Sequence, residues 1–183
     1  MEASSRAVAL LPHPQTSNGN VRAIEVRLSR PGSVLTLNYA MIGDLTRVRI
    51  PAIPQQTVDE LWRHTCFEAF VGAEGGNDYY EFNFSPSAQW AVYYFQRYRE
   101  RAPIEDAPAP EIETEQTSDR LRLNAAIDLG ALPCLNRDAL SIGLAAVVED
   151  DEGALSYWAL RHPPGKPDFH HADGFAFKFP TRT

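Results

Sequence analysis

The chain has 183 residues, a length that suits one domain and is short for two of ordinary size. Hydrophobic residues make up 44% and charged residues 22%, which excludes a largely disordered or collagen-like chain. The net charge of −7 leaves no long-range attraction for phosphate backbones or anionic lipid, so neither nucleic acid nor a membrane is an expected partner.

At the N-terminus an apolar run from Ala7 to Leu11 stops at Pro12. It is too short for the core of a signal peptide, and only Arg6 supplies charge before it. No stretch approaches the about 20 apolar residues of a membrane span. The two cysteines, Cys66 and Cys134, form no CxxC pair and suit a reducing compartment. A cytoplasmic location is therefore the expectation. Val21 to Leu28 and Val34 to Met41 alternate apolar and polar residues around the turn Arg30-Pro31-Gly32, which predicts two strands. Leu45 to Ile50 is a further strand candidate, ended by Pro51. Thr57-Val58-Asp59-Glu60 has the form of a capping box, predicting one or two helical turns before Trp62.

Thr65 to Gly72 and Tyr79 to Ser85 flank a Gly-Gly-Asn-Asp loop and predict a hairpin. Trp90 to Arg99 has both helical and strand character, but its crowding of Trp, Val, Tyr and Phe favours a strand. Ala102 to Pro110, with three prolines, reads as a surface loop. Two more hairpins follow, Glu111–Gln116 with Leu121–Ile127 and Leu140–Val148 with Ala154–Arg161, and Phe175 to Phe179 closes the chain. Eleven or twelve short strands with little helix predict an all-β antiparallel β-sandwich or barrel.

Pairing Gly72 with Tyr79 sets the register of the first aromatic hairpin. One face then carries Phe67, Ala69, Val71, Tyr80, Phe82 and Phe84, a core face. The other carries Cys66, Glu68, Phe70, Tyr79, Glu81, Asn83 and Ser85. Two carboxylates, an amide and aromatic rings on one face suit a polyol, because carboxylate oxygens accept from vicinal hydroxyls while rings cover C–H faces. Trp90 and Tyr94 on the next strand are candidates for further ring surface. The competing reading is an ordinary solvent-facing side with Glu68 and Glu81 hydrated.

The loop from His162 to Gly174 holds three histidines and two aspartates, residue types that can ligate zinc, copper or haem iron. Its spacing matches no established metal motif, and its prolines predict a rigid wall in which Asp168 and Asp173 accept backbone bonds and Phe169 pins the loop. Glu149 to Gly153 lacks the order of a calcium loop and reads as a hydrated turn. His64 and Cys66 lie two apart with no third group, which predicts an inert buried thiol. There is no nucleophile elbow, P-loop or dinucleotide fingerprint.

Three stretches carry a family resemblance: Leu61 to Phe70, Tyr80 to Tyr93 with its E-F-N-F-S-P-S-x-x-W run, and Ser156 to Pro163 continuing to Pro167-Asp168-Phe169-His170-His171. They resemble the DOMON-like domain family, in particular a bacterial branch related to family 9 carbohydrate-binding modules. The order of the stretches agrees with one domain over residues 1–183, its core from about Arg22 to Phe179. The resemblance implies an antiparallel β-sandwich that binds small ligands, with sugars and haem the classes known across the group, and it implies no catalytic residues. The resulting expectation is a non-catalytic module that binds a carbohydrate or sugar-like molecule in a sheet-face cleft. Glu68, Glu81 and Asn83 would bond hydroxyls, and Trp90 and Trp158 would serve as ring platforms. The alternative is a haem- or metal-binding carrier or redox domain using His162, His170 and His171, with Met41 as a further ligand type. An acid/base role for Glu68 and Glu81, and a purely structural or partner-binding module, stand behind these.

Overall fold

A computed structural model describes residues 5–17, 19–50, 59–104, 107–132, 135 and 139–179. Among them, turns at Gly32, Gly75 and Gly153, all at positive φ, reverse the chain between strand-forming segments. The described residues form twelve strands: β1 (Arg6–Pro12), β2 (Val21–Ser29), β3 (Val34–Gly43), β4 (Cys66–Ala73), β5 (Tyr79–Phe84) and β6 (Trp90–Arg97), then β7 (Glu100–Ala102), β8 (Glu111–Gln116), β9 (Arg120–Asp128), β10 (Leu140–Glu149), β11 (Leu155–Ala159) and β12 (Phe177–Phe179). All pair antiparallel, in the order β7-β6-β5-β4-β10-β11-β1-β2-β3-β9-β8, with β12 beside the start of β10.

The ribbon folds on itself at β1 into a β-sandwich. Arg6 to Leu10 pair with β2, whereas Leu11 and Pro12 pair with β11. The Ala7–Leu11 run, which the sequence offered only as an apolar stretch, is therefore the strand common to both halves. Between the halves, Ile24, Val26, Leu37 and Met41 oppose Phe67, Phe82, Leu144 and Ala146 in one core cluster. Tyr39 of β3 crosses it: its ring lies 4.9 Å from that of Phe67, and its hydroxyl donates to the Glu68 carbonyl at 2.9 Å. This bond ties the backbone of β4 to the opposite sheet at the residue whose side chain faces away from the core.

Leu45 to Ile50 is not a strand. Asp44 caps a 3-10 turn at Leu45–Arg47, its carboxylate accepting from the Thr46 N–H at 3.2 Å, and only Val48 bridges to Asp150. A capping side chain that satisfies backbone donors locally removes them from a ladder. Thr57 and Val58 of the expected capping box lie outside the described residues, and Glu60 enters a 3-10 turn at Leu61–Arg63 with no side-chain cap. The last strand starts two residues later than expected, because Ala172–Gly174 forms another 3-10 turn. No helix among the described residues is long and apolar enough to cross a membrane.

Candidate functional site

The Gly72–Tyr79 pairing holds along β4 and β5, so Glu68 faces Asn83 and Phe70 faces Glu81. Their side chains project from the sheet on the side away from the sandwich core. Beside them β6 contributes Ala91, Tyr93 and Phe95, and β10 contributes the small residues Gly143 and Ala145. Gly143 lets the chain before β12 close onto the strand, since a Cβ there would lie 3.2 Å from the Gly174 carbonyl oxygen. This face is not open. The loop after β11 lays Phe169 and Phe175 across it, and the 61–63 turn adds Leu61, closing a second apolar cluster with Phe70, Tyr79, Tyr93 and Phe95. The hydrated reading of the carboxylates is thereby overturned: Glu68 is 2% exposed, Glu81 5% and Asn83 fully buried.

What remains between these covers is a cleft of about 760 Å³. Glu68, Glu81, Phe70, Tyr93 and Phe95 line its base, Trp62, Tyr157, Phe169 and His170 its sides, and Arg99, Arg101 and Lys166 its mouth. Aromatic surface with a few convergent polar groups is the usual make-up of a small-molecule site. Glu81 Oε1 accepts from Asn83 Nδ2 at 2.8 Å, whereas Glu68 Oε1 is buried without a partner.

Burial pushes the Glu68 carboxyl well above the usual carboxylate range, and the neighbouring Glu81 charge adds to the shift. Burial also pushes Glu81 up to about 7, against the pull of the Asn83 hydrogen bond and the more distant Arg101 and Arg99. His170 moves the other way. Burial, then Arg99, lowers it to about 4, with Asp168 opposing. Arg99 N–H donates to the Tyr79 hydroxyl at 3.2 Å, and Tyr79 bonds His170 Nδ1 at 2.9 Å. If the Tyr79 proton goes to Nδ1, the ring proton sits on Nε2, 3.6 Å from Glu81 Oε2. That separation exceeds a hydrogen bond, and the two shifts leave a neutral imidazole, so the contact is not an ion pair.

The cleft wall is held from outside. Asp168 accepts from Tyr98 Oη at 2.7 Å, Arg99 Nη2 at 2.8 Å and the His170 N–H at 3.2 Å. Asp168→Ala is expected to destabilise the protein by about 1–2 kcal/mol in urea unfolding and to release the wall. Unchanged stability would mean that these bonds merely replace water.

The ring platforms need correction. Trp90 pairs with Phe84, so it faces the core side of the sheet with Tyr94, while Tyr93 and Phe95 face the cleft. Trp158 is 1% exposed within the sandwich core, its indole N–H donating to Ser156 Oγ at 3.1 Å, and its neighbour Tyr157 lines the cleft. Both misplacements are single-residue errors of parity. Phe95, Arg99, Arg101 and Lys166 carried no site signal in the sequence, and Trp62 stood out only within the family motif.

The histidine loop does not gather a ligand set. His162 Nε2 donates to the Leu11 carbonyl at 2.8 Å and its ring packs edge-on against His13. His171 Nδ1 accepts from the Asp173 N–H at 3.2 Å, and His170 alone enters the cleft. Met41 is sealed in the core. Among the described residues no three His, Cys, Asp or Glu side chains converge as metal ligands. Cys66 is fully buried, and burial raises its thiol well above its ordinary value.

No protein-family model matches the chain, and no curated protein matches it by sequence. Solved structures do. The chain is similar to a protein from Bacteroides uniformis provisionally named a carbohydrate-binding protein, at 13% identity and a TM-score of 0.68, over 94% of this chain and 84% of that one. It is also similar to a family 9 carbohydrate-binding module from Caldicellulosiruptor kristjanssonii, solved in complex with cellotriose, at 10% identity and a TM-score of 0.61, over 87% and 75% of the two chains. At these identities the likeness establishes the fold.

Proposed function

We propose that the protein is a non-catalytic binding module that takes a carbohydrate or sugar-like molecule into the cleft over β4, β5 and β6. The observation that carries this reading is the pair Glu68 and Glu81, buried at the base of a ring-lined cleft, with one Glu68 oxygen unpartnered. A buried acceptor without a donor costs about 1–3 kcal/mol, and a ligand hydroxyl or amine removes that cost on binding. Tyr93, Phe95, Tyr157 and Trp62 offer faces for the C–H surface of a pyranose, and His170 Nε2 offers a donor when Tyr79 donates to Nδ1. The names of the two similar structures and the motif resemblance to DOMON-like domains support the same ligand class.

Calorimetric titration against mono- and oligosaccharides, cellotriose included, tests the reading. The Glu68→Gln/Glu81→Gln protein is expected to bind any sugar found at least about tenfold more weakly than the wild type. Unchanged affinity in a folded double variant would remove the cleft from the binding site.

A further inference from the structure

The polar groups around Glu68 are matched elsewhere, and what they leave at the cleft base is acceptors. The Asn83 amide donates to Glu81, and the Tyr93 hydroxyl donates to Asp59 at 3.0 Å. Arg99 is held by Asp168 at 2.8 Å. Arg101 lies 3.8 Å from Asp59, with its guanidinium carbon 4.1 Å from the centre of the Tyr93 ring. Two carboxyls thus sit side by side, diagonal neighbours across the β4–β5 pair, with Glu68 Oε1 receiving nothing. The group that complements them brings several N–H donors and a positive charge. A hydroxyl brings one donor and no charge. Phe70 and Phe95 beside the acids suit a cation too, since ring faces attract positive charge. A quaternary ammonium has no N–H for the orphan oxygen, so the fit is to a primary amine.

We infer that the ligand of this cleft is an amino sugar or similar polyol amine, with its primary ammonium on Glu68 and Glu81. This rests on the sugar-binding reading above and names the ligand class within it. The groups facing the pair or lining its cleft are Cys66 from β4, Tyr79 and Asn83 from β5, Tyr93 from β6, Arg99 before β7 and Arg101 within it, Asp59 and Glu60 before the 61–63 turn, Tyr157 from β11, and Lys166 and His170 from the loop. His170 is lowered to about 4, Tyr93 is raised to about 12 and Tyr79 is raised as well, so proton exchange near neutral pH belongs to the carboxyls. An ammonium arriving at pH 7 therefore displaces a proton from the acid pair, and its binding strengthens as pH rises toward about 7 and weakens again at higher pH, where the amine loses its own proton.

The test titrates matched sets built on glucosamine, galactosamine and mannosamine, each with its parent hexose and its N-acetyl form, in two buffers of different ionisation enthalpy. The expected result at pH 7, where the amines are still mostly ammonium, is one amine bound at least about tenfold more tightly than its parent and its N-acetyl form. At pH 7 the same amine is expected to release a proton. Glu68→Gln should erase the preference, with Glu81→Gln as the second variant if the first fails to fold. Binding of the parent hexoses as tight as or tighter than the amines in every set would overturn the inference and leave the sugar reading standing. An amine preference that survives both substitutions would also overturn it. If no member of any set bound, both readings would fall.

Discussion

Trp158→Ala is expected to lose about 3–5 kcal/mol of folding stability, while Tyr157→Ala, one residue earlier, loses about 1 kcal/mol or less. The difference comes from strand parity. Trp158 sits opposite Ala146, which itself faces Phe67, so its indole fills the space between the sheets at 1% exposure. Its truncation leaves a cavity and strands the Ser156 hydroxyl, which accepts the indole N–H. Tyr157 points the other way, over Val147 toward the cleft, with its ring 6.1 Å from that of Phe169. Its loss removes ligand-facing surface, and sugar affinity is expected to fall about tenfold. Urea unfolding and titration of both variants separate the two roles. A Trp158→Ala protein of wild-type stability that no longer binds would return Trp158 to the site.

The same parity explains why some strands disclose their register in the amino-acid sequence and others do not. In β4 and β5 the two faces differ sharply, Phe67-Ala69-Val71 against Cys66-Glu68-Phe70, so a slip of one residue is visible and the register can be read. In β6 both faces are apolar: Trp90, Val92 and Tyr94 on one, Ala91, Tyr93 and Phe95 on the other. Alternation is absent, and the register depends on the Ser85–Gln89 turn, in which Ala88 adopts φ 62°. Tyr157-Trp158 poses the same ambiguity with two adjacent rings. The burial of Glu68 and Glu81 is hidden for a different reason. It depends on Phe169 and Phe175, which lie far along the chain from both acids, folding back over the sheet. Local pattern carries strands and turns, but which face a distant loop covers is a tertiary fact.

That cover makes the acid pair a burden on the free protein, and the pH dependence of stability is where it is expected to appear. Glu81 titrates at 4.5 when unfolded and at about 7 when folded. The unfolded chain therefore gives up its proton first as pH rises. The stability associated with this group is complete below 4.5 and is lost as pH climbs through about 7. Glu68, raised for the same reason, acts in the same direction. His170 does the opposite: from 6.5 unfolded to about 4 folded, its contribution is complete above 6.5 and is lost as pH falls toward 4. Between 4.5 and 6.5 two acids oppose one imidazole, and as far as these three groups decide it, wild-type stability falls with rising pH. In Glu68→Gln/Glu81→Gln only His170 remains of the three, so the slope is expected to reverse. The double variant should match the wild type near pH 4, where the carboxyls are largely protonated in both states. At pH 8 it should exceed the wild type by at least about 3 kcal/mol, the worth of moving Glu81 alone from 4.5 to about 7, with Glu68 adding in the same direction. Urea unfolding at half-unit intervals from pH 4 to 8 measures both curves. A wild type no less stable at pH 8 than its double variant would mean that the carboxylates ionise in the cleft without penalty, and the case for a ligand that must neutralise them would go with it.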